Sequence, residues 1–194
     1  MADVSSDPVP DTGARPAGRK AVEAALSGGG AGDVLLIELL FFAYRDFTAD
    51  PDAILEEFGF GRAHHRVLHF VCREPGLRVT DLLDILQITK QSLARVLRQL
   101  IEQGYIVQRA GEHDRRERLL FPTESGAALF AKLIEPQLRR VTRALAAAGP
   151  EGAETIEQFL QDMIKFDNRA HVRNVLGRAA GGSERTKDHD DFEN

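Results

Sequence analysis

The sequence predicts a mainly α-helical chain with one small β-hairpin, an α+β architecture, and three observations carry that expectation. Residues 80–103 read as two short helical patterns separated by Gln87-Ile88-Thr89. Directly after them, "YIVQR" and "RLLF" form two β-type runs around "AGEHDR", the signature of a hairpin. Long apolar helical patterns flank this centre on both sides. Two short helices, a tight turn and a hairpin make a winged helix-turn-helix lobe. The flanking patterns predict a helical dimerisation region.

Residues 1–32 are rich in Pro, Gly, Ala and Ser, including "SGGGAG" at 27–32. That composition builds no core and reads as a disordered N-terminal tail, with "RKAVEAALS" a weak short helix inside it. Asp33 is a good N-cap, so order is expected from there, with residues 33–60 forming the N-terminal helices of the dimerisation region. "VLLIELLFFAYRDF" (34–47) is apolar almost all round and must be covered on several sides, which implies a partner chain. "DPDAILEEFGF" (50–60) predicts a separate short helix with Pro51 in its first turn.

The winged helix-turn-helix lobe is expected over 61–122. "RAHHRVLHFVCREPG" gives a helix ended by Pro75-Gly76. Thr80 is expected to cap "DLLDILQ", and Thr89 or a neighbour the next helix. That helix buries Leu93, Val96, Leu97, Leu100 and Ile101, an i, i+3, i+4, i+7, i+8 stripe, and Gly104 ends it. The C-terminal dimerisation helices span 123–177. The first starts at Thr123, with Pro136 expected to kink or break it. After Gly149-Pro150 a last helix is expected from about Glu151 to Leu176. Residues 178–194 read as a disordered tail.

Charge is distributed unevenly. The net charge is −5, yet residues 62–118 hold 11 basic and 7 acidic side chains. Residues 1–61 hold 4 basic and 11 acidic ones, and 119–194 hold 10 and 12. A positive centre between acidic ends points to a localised anionic partner. No run of eighteen apolar residues occurs, so no membrane span is expected. No secretory signal is visible, and one cysteine suits a reducing cytosol. The expected location is cytoplasmic, at the nucleoid.

In a winged helix-turn-helix the second helix enters the major groove. Opposite its buried stripe lie Gln91, Arg95, Arg98 and Glu102. Arg95 and Gln91 are the candidates for base reading, because Arg and Gln make bidentate contacts to guanine and adenine edges. Lys90, Ser92 and Arg98 are candidates for phosphate contacts, which position without specifying. In the wing, residues 110–116, Arg115 is placed to reach the minor groove. Asp114 is expected to pair with a nearby arginine such as Arg116, which is itself a candidate DNA contact. Double-stranded DNA is the expected partner.

"ITKQSLARVLRQLIEQGYI", "HDRRERLLFPTESG" and the closing long helices resemble the MarR family of bacterial transcriptional regulators over about residues 33–177. Within it, "GFGRAHHRVLHFV" and "DILQITKQSLARVL" are most similar to the PetP-like alphaproteobacterial group. The resemblance implies an obligate homodimer with intertwined terminal helices, a palindromic operator near a promoter, and repression, often of its own gene. It also implies a small-molecule effector cleft, which by position would draw on Phe41, Tyr44, Arg45, His64 and His65. The alternative for Phe41 and Tyr44 is plain dimer core. The family wing commonly begins with Asp and carries a further Arg before its Asp-Arg-Arg. Gly111 and His113 stand at those places here, so wing contacts are expected to be fewer, or to titrate with His113.

His65, His69 and Cys72 share one face of the third helix at i, i+4, i+7. These residue types bind transition metals, but no fourth ligand is evident, and the ordinary reading is core-edge packing. Cys72 as a redox sensor would need access and a lowered pKa, and no resolving cysteine exists. No metal and no cofactor is expected. No enzyme is expected either: there is no HExxH, no GxSxG and no phosphate loop, since "SGGGAG" follows no strand. The rival to DNA binding is a winged-helix protein–protein adaptor, which a neutral or acidic recognition face would mark.

Overall fold

The computed structural model describes residues 18–111 and 114–185. The N-terminal tail before Gly18, Glu112 and His113 of the wing, and residues 186–194 lie outside them, so the expectation for His113 stays open. By internal contacts the chain divides into two units, residues 1–45 and 46–194.

In the first unit a helix α1, Gly18–Leu26, occupies the stretch expected to be a weak helix within a disordered tail. Helix α2, Ala31–Glu56, starts two residues ahead of Asp33. Asp33 therefore acts from inside the first turn: its carboxylate accepts the Gly30 N–H at 2.8 Å, the reverse arm of a capping box. The apolar run leaves Leu36, Phe41, Phe42 and Tyr44 exposed, Phe41 by 68%.

Helix α2 crosses the unit boundary and continues through Pro51, where sequence reasoning placed a break before a second helix. A proline inside a helix leaves the carbonyl four residues earlier without its N–H partner. Here that carbonyl is Phe47 O, and the buried Gln137 Nε2 donates to it at 3.4 Å. A long-range side chain thus supplies what Pro51 removed. Gln137→Leu is expected to lower stability by about 1–2 kcal/mol, the cost of stranding a buried carbonyl. Urea unfolding at fixed protein concentration measures it, and an unchanged midpoint would show that the helix tolerates Pro51 unaided.

The rest of the second unit is the lobe and its long helices. Helix α3, Arg62–Arg73, buries Val67, Leu68 and Val71 at i, i+1, i+4. A two-residue strand β1, Leu77–Arg78, follows and was not expected from sequence. It pairs antiparallel with β3, Arg118–Pro122, which also pairs with β2, Ile106–Ala110, giving the order β1-β3-β2. Helix α4, Val79–Leu86, begins on Arg78 without any side-chain cap, so Thr80 does not cap it. Leu77 and Arg78 are committed to the sheet, and the helix starts where their ladder ends. Helix α5 is Lys90–Glu102. The α4–α5 turn puts Gln87 in the left-handed region (φ 51°), and the Arg66 guanidinium donates to the Leu86 carbonyl at 3.1 Å. The core gathers Leu55, Leu82, Leu86, Leu93, Leu100 and Leu120 with the α3 face.

Helix α6, Glu124–Met163, runs through Pro136 and is interrupted only at Gly149 (φ 75°). Pro136 therefore neither breaks it nor takes its backbone out of helical geometry. The final helical stretch expected as one piece is divided at Ile164-Lys165, after which α7, Phe166–Arg185, follows. The Arg169 guanidinium donates to the Asp162 and Ile164 carbonyls at 2.6 and 3.0 Å, capping the end of α6. Helix α7 also extends past 178, where a disordered tail was expected.

Candidate nucleic-acid interface

Helix α5 is oriented from both ends. Thr89 caps it as expected, its Oγ1 accepting the Ser92 N–H at 3.1 Å. Leu93, Val96, Leu97 and Leu100 are buried, which turns Lys90, Gln91, Ser92, Arg95 and Arg98 outward, all exposed. On the inner side Gln99 Oε1 lies 2.7 Å from His64 Nε2. His64 Nδ1 accepts the Gly61 N–H at 3.1 Å, so the proton sits on Nε2, which donates to Gln99. The ring stacks on Phe60 at 4.6 Å. His64 therefore fastens the start of α3 to the last turn of α5.

The expected exposed face of α5 divides in two. Gln91 and Arg95 are exposed and do not line the groove that α5 shares with α4 and the hairpin. Lys90, Arg98 and Glu102 instead line that groove, which has a volume of about 620 Å³. Arg118, at the start of β3, lines it as well. Sequence reasoning missed Arg118, the first β residue after "DRRE".

The wing turn is built by short backbone bonds. Gly111 N–H donates to Glu117 O at 3.1 Å, and Glu117 N–H to Asp114 O at 3.0 Å. Asp114 does hold the wing in shape, but through the Arg116 backbone N–H at 2.8 Å and not its guanidinium. Arg115 and Arg116 are left exposed at the turn. A Cβ on Gly111 would lie 2.7 Å from the Asp114 carbonyl oxygen, so this turn requires glycine where the family wing commonly begins with Asp. Glu117 is taken by Arg78, 3.3 Å away, which also holds Asp81 at 2.9 Å. The paired carboxylates raise the Arg78 pKa and tie the base of the wing to α4.

Among the described residues, Lys90, Arg95, Arg98, Arg115, Arg116 and Arg118 enter no ion pair. Arg62, Arg78, Arg140 and Arg169 are held by Asp52, Asp81, Asp50 and Asp162.

The other candidates fall differently. Phe41, Tyr44 and Arg45 belong to the first unit and His64 and His65 to the second. Arg45 lies over the Phe42 ring at 5.1 Å, and His64 is engaged as described. His65 and His69 meet edge-on at 6.5 Å, and His69 also meets Phe130. No group of three metal-ligating side chains exists among the described residues. Burial pushes the Cys72 thiol up to about 11, the reverse of a reactive thiolate.

Burial, then the neighbouring His65 and Arg73, lowers the His69 pKa to about 4; burial lowers His65 too. The unfolded chain therefore binds more protons between pH 6.5 and about 4. Stability is full above pH 6.5 and falls as the pH drops toward about 4. His69→Leu is expected to flatten that fall, measured as the unfolding midpoint against pH.

A helix-turn-helix with a cationic second helix and a hairpin wing defines a winged helix-turn-helix protein. The MarR family model matches residues 58–117. The HTH-type transcriptional regulator PetP of Rhodobacter capsulatus is 52% identical over 137 residues, 71% of this chain and 82% of that protein. A SlyA-like transcription regulator from Listeria monocytogenes shares the fold at TM-score 0.56 and 20% identity, covering 75% of this chain and 95% of its own. A mutant MarR from E. coli, solved in complex with operator DNA, does so at TM-score 0.53 and 19% identity, covering 69% and 96%. The chain belongs to the MarR family, and its relatives are named transcriptional regulators. Among the described residues no helix is long and apolar enough to cross a membrane.

Proposed function

We propose that this regulator binds a palindromic DNA operator as a homodimer and acts as a repressor. The observation that carries the reading is the set of exposed cations on α5 and the wing, which enter no ion pair among the described residues. Gln91 and Arg95 would read base edges in the major groove. Lys90, Ser92, Arg98 and Arg116 would hold phosphates, and Arg115 would reach the adjacent minor groove. The E. coli MarR of similar fold was solved with operator DNA.

The homodimer rests on apolar surface. Phe41, Phe42 and Tyr44 of α2, and Phe159, Leu160 and Phe166 of α6 and α7, are exposed in the single chain. Patches of this kind mark interfaces. A two-fold dimer would set its recognition helices about 34 Å apart, one turn of DNA, and occupancy near a promoter would block transcription.

Selection of bound fragments from a random duplex pool tests the reading. Enrichment of one palindromic motif with half-sites one turn apart is expected. Enrichment of no motif would reject it.

A further inference from the structure

The groove between α4, α5 and the hairpin is more than the flank of the recognition helix. Its floor is apolar, formed by Val79, Leu83, Leu93, Leu97 and Ile101. Lys90, Arg98 and Arg118 stand at its rim, with Glu102 the one acid among its lining residues. An acidic occupant that carries an apolar group matches this lining.

The chain contains such a segment. Residues 186–194 read "TKDHDDFEN", with Asp188, Asp190, Asp191 and Glu193 around Phe192 and only Lys187 opposing them. Helix α7, which this segment follows in sequence, is anchored to the lobe. Val175 is buried and Arg178 pairs with Glu74 at 3.5 Å, so α7 lies on the corner between α3 and β1. Four residues beyond Glu74 is Arg78, bonded to Glu117 beside Arg118, and the next residue, Val79, already lines the groove. Helix α7 ends at Arg185, and nine further residues span up to about 30 Å when extended.

We propose that the acidic segment 188–193 docks in this groove of its own chain, Phe192 on the apolar floor and its carboxylates against Lys90, Arg98 and Arg118. It thereby competes with DNA phosphates for α5 and suppresses sequence-independent binding. A matched operator, which adds base contacts, displaces it; random duplex, held by phosphate contacts alone, does not. The competition rests on the DNA-binding reading, whereas the docking does not.

The test compares the full ¹⁵N-labelled chain with two full-length variants, Asp188→Asn/Asp190→Asn/Asp191→Asn/Glu193→Gln and Phe192→Ser. Without DNA, both are expected to move the amide resonances of Leu93, Ala94, Gln108 and Arg118. Unmoved resonances in both would overturn the docking and leave the groove to another occupant. On random-sequence duplex the charge-neutralised variant is expected to bind about tenfold tighter than the parent at low salt, the gap closing as salt rises. Moved resonances with equal affinities would overturn the competition. A chain that binds no DNA at all while the resonances move would reject the DNA-binding reading and leave the docking standing.

Discussion

Replacing Arg95 by alanine is expected to remove about 1–3 kcal/mol of discrimination per half-site between the selected operator and point-mismatched variants. The loss arises because Arg95 stands on the exposed side of α5, away from the groove that holds Arg98, with no carboxylate partner among the described residues. Its guanidinium is free to take both acceptors of a guanine edge. Arg115→Ala should behave differently. On the proposed reading it reaches phosphate and the narrow groove from the wing turn, so its removal should weaken all duplexes alike and reduce the salt slope by about one per half-site. Titration of operator and mismatched duplexes across a salt series separates the two effects. An Arg95→Ala/Arg115→Ala protein that bound the operator as the parent does would end the assignment of this face.

Gly126→Ala is expected to destabilise the fold by about 3 kcal/mol, although alanine in an open helix position would gain about 1 kcal/mol over glycine. The local packing decides the sign. Thr123 N–H donates to the Tyr105 carbonyl at 3.1 Å, and Thr123 Oγ1 donates to the Gly104 carbonyl at 2.6 Å. The same hydroxyl oxygen accepts the Gly126 N–H at 3.0 Å. These bonds draw the first turn of α6 onto the chain entering β2. A Cβ at Gly126 would penetrate the Tyr105 carbonyl oxygen and stand 3.0 Å from its carbon. Backbone cannot rotate away as a side chain can, so the Thr123 bonds must open. Gly177→Ala is the control: nothing lies within 4 Å of its Cβ position, and about 0.5–1 kcal/mol of stabilisation is expected. Denaturant unfolding at one protein concentration compares them, and equal midpoints for the two variants would contradict the close-approach argument.

Much of the lobe was legible because each element carried a local rule. The stripe from Leu93 to Ile101 fixed the buried face of α5, Thr89 fixed its start, and the exposed positions of Lys90, Gln91, Ser92, Arg95 and Arg98 follow from those two facts. Arg118 escaped notice because a short strand's side-chain direction depends on register, here Ala110 opposite Arg118, and register is a property of the partner strand. The early start of α4 has the same origin, since Leu77 and Arg78 became a strand only by pairing with Leu120 and Leu119.

The winged helix-turn-helix, the positive charge on its outer elements and the family resemblance could all be read from the chain alone. Periodicity, capping and turn chemistry act within a few residues, and a reader of the chain sees all of them. Folding in three dimensions was needed to carry α2 through Pro51, to clamp His64 on Gln99, and to set Arg78 on Glu117. The partners are 90, 35 and 39 residues apart along the chain. At such separations no periodic rule applies, and a polar side chain finds its partner only once the core has brought the two together.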